Sequence, residues 1–376
     1  MSEEEKTLIP IITANFKPFR LVQRGTGDSW SPTLHQINDR TYDYVKLHRM
    51  STYLDVGIAP LSMGICFDGT LVLPATPELR EIPKALALFN RTLSELVVGG
   101  VYCEAVQPDD IGYGSLTLHG YTRLLGGGGG ASASLHKAAR TKHIGTIDVI
   151  RLLNPEVIDQ AELERAFSAG RKRLQQLDGI PREQLLYAIT YYVKGQWAES
   201  LIHAWTTTER IIEIAWASHV CNAALASSKK RKQFLNDHRT WTSSAKLEVL
   251  FQKGLLPINT YEKLDVARKA RNAFAHQGVV PARQAALEAL AGGLELASLC
   301  TTGFQDATTF KHVVELAASR CRTELYPTKT QFSTSEVSHW LSLPPVPGFK
   351  EWGSEPFEII EEICLKELSQ KGPERA

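Results

Sequence analysis

The sequence lacks the features that mark several large classes of protein. No stretch reaches the run of about eighteen apolar residues that a membrane-spanning helix needs. The six cysteines form no Cys-x-x-Cys pair, and their spacing fits neither a zinc ribbon nor a disulfide framework. The first residues, MSEEEKTLIPIITANF, are acidic where a secretory signal is basic. We therefore expect a cytoplasmic protein of a reducing compartment, without a membrane partner.

An excess of charge of either sign is also absent. Lys and Arg number 42 and Asp and Glu number 41, which gives a formal net charge of +1. This balance excludes a polybasic coat protein and an acidic tail protein, whereas a local basic patch can still bind nucleic acid. A chain of 376 residues can bury a large core without disulfides or a structural metal. No cluster of metal ligands is visible, and we expect neither a metal nor another cofactor.

The first part of the chain, residues 1–135, predicts an α+β domain. Short apolar runs of strand length are bounded there by turn-forming residues. These runs are residues 42–47, 53–58, 69–73, 100–105 and 115–124. An apolar stripe predicts one helix over about residues 81–97. The glycine run of residues 126–134 favours a flexible loop or linker over a phosphate-binding loop, because the Gly-Lys-Ser/Thr ending is missing.

After about residue 154 the pattern changes to apolar helical stripes separated by Gly and Pro. We divide this part into a connecting helical segment, residues 136–180, a helical bundle, residues 181–305, and a C-terminal helical extension, residues 306–376. The last helix of the extension is expected near residues 355–368. The predicted fold class is therefore an α+β N-terminal domain followed by an all-α bundle.

The candidate chemistry lies in the segment RNAFAH, which begins at Arg271 and ends at His276. Asn272 and His276 are four residues apart, so on a helix they share one face, where the amide can fix the imidazole tautomer. Arg271 lies about 7.5 Å from His276 along the helix axis. Arg offers a planar, always charged donor group for phosphate, and His offers a proton acceptor and donor. Together they suit attack of an RNA 2′-hydroxyl on its adjacent phosphate, without a metal.

The same residues also permit a structural interpretation. Arg and His in the last turn of a helix interact favourably with the helix dipole. Gly278, just beyond the motif, is a suitable helix cap. Arg-x4-His is a short pattern, and the motif alone leaves both interpretations open.

The surrounding sequence resembles the HEPN superfamily (higher eukaryotes and prokaryotes nucleotide-binding domain). LLYAITYYVKGQWAESLIHAWTTTERIIE is similar to the first helical pair of that family, KLDVARKARNAFAHQG resembles its helix ending in Arg-polar-x3-His, and an apolar helix follows. The resemblance covers about residues 181–304. It implies a four- or five-helix bundle that dimerises and, in many members, a metal-independent ribonuclease. It also implies Arg271 and His276 as catalytic residues and Asn272 as a supporting residue, with two sets facing across a two-fold axis.

Further residues are possible parts of the site. Glu209 could reach Arg271 across the bundle, although a solvated or capped helix Glu fits equally well. A basic run could contact RNA phosphates or form a solvated loop. The members of this run are Lys229, Lys230, Arg231 and Lys232. One toxin branch of the family carries, two residues after the His, a Tyr that a partner nucleotidyltransferase modifies; Gly278 occupies that position here, which disfavours such regulation.

These observations predict a metal-independent endoribonuclease that cleaves single-stranded or tRNA-like RNA as a homodimer. By analogy with the family, it would act as a toxin or an antiviral (abortive infection) effector. The N-terminal domain would sense a trigger ligand or protein. The alternative is a non-catalytic HEPN module that dimerises and binds nucleotide or RNA.

Overall fold

The computed structural model describes residues 8–25, 33–39, 41, 43–141, 143–144, 148–149, 156–177, 179–222, 228–301, 307–321 and 333–342. The chain divides into two compact units, Met1–Thr323 and Glu324–Ala376. Within the second unit, the described residues form helix α12, Thr334–Ser342. The helix expected near residues 355–368 lies outside the described part of the chain.

A six-stranded sheet dominates the first part of unit Met1–Thr323. Its order is β3-β4-β5-β1-β6-β7, and all neighbouring strands are antiparallel. The strands are β1 Ile9–Asn15, β3 Met50–Ile58, β4 Leu61–Cys66, β5 Thr70–Pro74, β6 Gly112–Leu116 and β7 Thr122–Gly127. Two smaller sheets pair β2 Arg20–Gln23 in parallel with β10 Glu156–Asp159, and β8 His143–Ile144 with β9 Asp148–Val149. This part therefore contains the small antiparallel sheet of the predicted α+β class.

Helices make up most of the rest of this unit. They are α1 Leu34–Asp39, α2 Ile82–Val98, α3 Ala131–Thr141, α4 Gln160–Gln176, α5 Glu183–Val193, α6 Trp197–Trp216, α7 Lys229–Leu235, α8 Ser243–Gln252, α9 Ile258–Gln277, α10 Arg283–Cys300 and α11 Ala307–Arg320. Side chains of Ser228 and Thr242 cap α7 and α8 by accepting backbone N–H groups. The predicted fold class, an α+β N-terminal region followed by helices, is confirmed.

Two of the predicted strands are wrong, and the predicted run of residues 115–124 is divided by the turn between β6 and β7. Residues Tyr44–His48 form a 3₁₀ helix, capped by the Asp43 side chain, which accepts the N–H of Val45. Residues 101–107 are irregular, although they lie between buried elements. The N–H groups of Val101 and Glu104 bond to the carbonyl groups of Leu96 and Lys17. Two others bond to side chains, since Thr190 Oγ1 accepts the N–H of Ala105 and Asn90 Oδ1 accepts that of Val106. Such long-range side-chain partners replace the strand ladder that the apolar run predicted.

The glycine run spans the end of strand β7 and the start of helix α3, and only a short loop separates the two. β7 extends to Gly127, and α3 begins at Ala131. Gly127 and Gly128 both have positive φ, which the backbone needs in order to turn from the strand into the helix. The run therefore ends the sheet and leads into α3.

One hydrophobic core joins the sheet to the helices. Buried side chains of this core come from strands, from α2 and α4, and from the later helices; examples are Leu73, Phe89, Leu163, Trp205 and Leu290. A Cβ atom at Gly170 of α4 would collide with the Glu95 carbonyl oxygen of α2, so these two helices meet at backbone distance. The division at residues 135, 180 and 305 stays a prediction, while the core itself is continuous across residues 135 and 180.

No helix in the described ranges is long and apolar enough to cross a membrane.

Candidate functional site

The RNAFAH motif lies in the C-terminal half of α9. The N-terminal half of this helix buries Thr260, Leu264 and Ala267 against the bundle. Beyond Ala267 no residue of α9 is fully buried. The helix ends at Gly278, whose φ of 69° allows its own N–H to bond the Phe274 carbonyl. The motif therefore occupies the accessible end of a helix whose other end is anchored in the core.

Arg271 is held by two neighbours without being buried. Its Nη1 donates to Oδ1 of Asn272 at 3.1 Å, and its Nη2 lies 4.0 Å from Oε2 of Glu209 on α6. The side chains of Arg271 and Glu209 are 36% and 34% exposed. An ion pair of this exposure is worth about 0–1 kcal/mol. The guanidinium is thus oriented by weak contacts that an incoming phosphate can replace.

Glu209 is itself positioned by α8. Its Oε1 accepts a hydrogen bond from Ser243 Oγ at 3.3 Å. One turn further along α6, both carboxylate oxygens of Glu213 lie 2.6 Å from Nζ of Lys246, which is completely buried. This ion pair fastens α8 to α6 and so holds Ser243 beside Glu209. The sequence offered one signal for this arrangement, the i,i+4 spacing of the two glutamates on one helix face.

His276 is exposed in the last turn of α9. The Asn272 amide oxygen accepts from Arg271, and the expected hydrogen bond between Asn272 and the imidazole is absent from the described residues. Within the described residues the imidazole has no hydrogen bond or ion pair. The chain by itself therefore leaves the tautomer and ring orientation of His276 unset, and substrate or a second copy of the chain would have to supply them.

The basic run forms the first turn of helix α7, although a solvated loop was one of its two interpretations. Its four side chains, Lys229, Lys230, Arg231 and Lys232, are all exposed on α7. This helix is attached to the C-terminal end of α6, where Trp216 Nε1 donates to the Leu235 carbonyl at 2.9 Å. Trp216 is about 10 Å from Glu209 along the α6 axis. The basic helix is thus attached to the same helix that carries Glu209, about two turns further along.

No group of three or more His, Cys, Asp or Glu side chains that could hold a metal occurs among the residues the structure describes. Comparison of the chain with models of protein families, with curated proteins and with solved structures found no match.

Proposed function

We propose that this chain is a metal-independent endoribonuclease of the HEPN type, acting as a toxin or antiviral (abortive infection) effector. The observation that carries the proposal is the placement of Arg271 and His276 at the exposed end of α9, beside a carboxylate that orients the Arg. A guanidinium with donors available to solvent and an accessible imidazole are the two groups that phosphate transesterification requires. The resemblance of residues 181–304 to the family supports the same assignment.

In the proposed reaction the RNA 2′-oxygen attacks the adjacent phosphorus and the bond to the 5′-oxygen breaks. One His276 accepts the proton of the 2′-hydroxyl, and the His276 of a second copy donates a proton to the leaving 5′-oxygen. Arg271 donates to the non-bridging oxygens, where negative charge develops. The products are a 2′,3′-cyclic phosphate and a 5′-hydroxyl. The homodimer supplies both imidazoles, which accounts for the single His in each motif.

The proposed substrate is single-stranded or tRNA-like RNA. The four cations of α7 would bind phosphates of the same strand away from the reacting one. Because such contacts release counterions, RNA affinity should fall as the salt concentration rises. The N-terminal sheet region would respond to a trigger ligand or protein.

The test is cleavage of total RNA by the purified protein in EDTA. Wild type should cleave, and His276→Ala and Arg271→Ala should lose cleavage while they keep RNA affinity. His219→Ala is the matched control, because His219 is also an exposed histidine of the helical region. Fragments should end in 2′,3′-cyclic phosphates. Cleavage by His276→Ala at the wild-type rate would overturn the assignment.

One observation favours a second candidate function. Because no described residue of the chain orients the His276 imidazole, a non-catalytic module that dimerises and binds nucleotide or RNA fits the same surface. In that case wild type would bind RNA in EDTA without cleaving it. The mass of the complex, measured with and without RNA, would then give the oligomeric state.

A further inference from the structure

A cavity of about 330 Å³ opens at the edge of the large sheet, between β7 and α3. Its polar wall consists of His48, Arg123, Lys137 and Arg140, and its apolar wall includes Leu124 and Leu125. Its volume falls at the lower end of the range for small-molecule sites, about 300–1,000 Å³. Three of the lining side chains are permanent cations, and no carboxylate is among the lining residues that the structure describes.

The back of the cavity is fixed by a buried ion pair. Arg140 of α3 is 6% exposed, and Asp68, in the turn between β4 and β5, is completely buried. Nε and Nη2 of Arg140 donate to the two Asp68 oxygens at 2.6 and 3.0 Å. Hydroxyl groups of Thr70 and Thr122 accept two further bonds from the guanidinium. Four of the five N–H donors of Arg140 are thus already used, and its part in the cavity is a rigid positive wall.

Two further cations line the front of the cavity. Arg123 projects from the edge strand β7 and is exposed; its guanidinium has no ion pair or hydrogen bond with any described residue. Lys137 of α3 donates to the carbonyl groups of Gly127 and Gly128 at 2.7 and 3.1 Å. These bonds hold the ammonium group at the glycine turn. Two cations on different elements therefore face the same space.

His48 contributes an unpartnered atom. Its Nε2 is buried and forms no hydrogen bond with the described residues. Burial, and then the charge of Arg140, lower the pKa of His48 to about 4, while a bond from the ring to the Thr122 backbone opposes the shift. The imidazole is therefore neutral at pH 7, and its free nitrogen can accept a hydrogen bond. A buried polar atom without a partner costs about 1–3 kcal/mol, and a ligand that donates to it would remove this cost.

We propose that this cavity is a binding site for a small phosphomonoester, with the phosphate between Arg123, Lys137 and His48 and the organic group on Leu124 and Leu125. A phosphomonoester carries about −1.5 to −2 charges at pH 7, which matches two front cations better than a carboxylate does. The dianion has no O–H, so a hydrogen bond to His48 Nε2 forms only with the singly protonated phosphate, which keeps one negative charge beside the two cations. Inorganic phosphate alone would make no contact with the apolar wall of Leu124 and Leu125. The site does not depend on the proposed nuclease activity.

The test uses AMP as the probe, with adenosine and inorganic phosphate as its two halves, in calorimetric titrations of the full chain. Wild type should bind AMP, and should bind each half more weakly. Arg123→Gln should weaken AMP binding about ten- to a hundredfold, the loss expected for a charge-assisted hydrogen bond. Arg80→Gln, an exposed Arg outside the cavity, should leave the affinity unchanged. Melting temperatures of both variants should equal that of wild type.

Four results would overturn the proposal. These are no binding of AMP or phosphate at millimolar concentrations, equal AMP affinity of wild type and Arg123→Gln, equal affinity for adenosine and AMP, and equal affinity for phosphate and AMP. None of them bears on RNA cleavage, so the two proposals fail separately.

The location is checked by NMR of protein labelled with ¹⁵N-histidine, with His48→Gln used to assign the His48 signal. The charged groups that act on His48 are Arg140, Asp68 and Asp43. Bound AMP adds an anion to this set, so the pKa of His48 should rise from about 4. A His48 signal that does not move with AMP would place the ligand elsewhere.

Discussion

The buried pair of Asp68 and Arg140 gives the sharpest stability prediction, through the variant Asp68→Asn. The carboxylate receives two hydrogen bonds from Arg140 and one from the backbone N–H of Thr70. The amide keeps the size of the side chain and removes its charge. Arg140, with 6% exposure, would then be a buried cation without a counter-ion. The perturbation is therefore electrostatic, with packing preserved.

The expected loss is about 3 kcal/mol of unfolding free energy. Removing one partner of a buried pair costs about 3–5 kcal/mol because the remaining charge stays desolvated. The lower end applies, since the Asn oxygen can still accept one hydrogen bond from the guanidinium. At a urea dependence of about 3 kcal/mol per M, the midpoint should fall by roughly 1 M.

Urea unfolding followed by circular dichroism measures this loss. Asp109→Asn is the matched control, because Asp109 is an exposed carboxylate of the same region and its change should stay within about 0.5 kcal/mol. Arg140→Met should also destabilise, and the double variant should lose less than the sum of the two. A loss below about 1 kcal/mol for Asp68→Asn, or strict additivity, would refute the claim that the pair is buried and coupled.

Three further expectations follow from the same structure. Burial alone would raise the pKa of Asp68, but the charge of Arg140 and hydrogen bonds from His136 and Arg140 outweigh it and lower the pKa. The ionised carboxylate therefore stabilises the fold above its unfolded pKa of about 3.9, and this stabilisation is lost as the pH falls below that value. Wild type should therefore lose more stability than Asp68→Asn between neutral and acid pH. Gly170→Ala should lower the unfolding free energy by about 3 kcal/mol or more, because the added Cβ collides with the α2 backbone. Gly129→Ala, with open space around it, should leave the unfolding free energy nearly unchanged in the same urea assay. His276→Ala should leave the melting temperature unchanged, and a clear decrease would favour a structural role.

The sequence predicts the helices of this chain better than its irregular segments. The apolar stripe before residue 97 and the Gly and Pro breaks after residue 154 are local signals, and the structure places α2 and the later helices accordingly. The segment of residues 101–107 has the composition of a strand, but two of its N–H groups bond to side chains of α2 and α5. A partner that is tens of residues away in the chain leaves no local trace.

The same limit applies to the polar residues. The spacing of Arg271 and His276 on one helix follows from the sequence, because α9 contains both. The hydrogen bond of Asn272 could not be predicted, since Arg271 directly before it and His276 four residues after it are both within reach of its amide. The pairing of Arg140 with Asp68 spans 72 residues and depends on how α3 packs on the sheet. No sequence feature near Asp68 or Arg140 predicts this pairing.

The end of α9 bears on the choice between a structural and a chemical role for the motif. Near the end of the helix, the carbonyl groups of Phe274 and Ala273 accept the N–H groups of Gly278 and Val279. Neither of these capping bonds involves the side chain of Arg271 or His276. Their remaining structural contribution is the exposed ion pair of Arg271 with Glu209, worth about 0–1 kcal/mol, and the interaction of His276 in the last turn with the helix dipole, worth about 0.3–1 kcal/mol. A contribution this small leaves the exposed guanidinium and imidazole free to serve a ligand, which is the condition that the proposed chemistry requires.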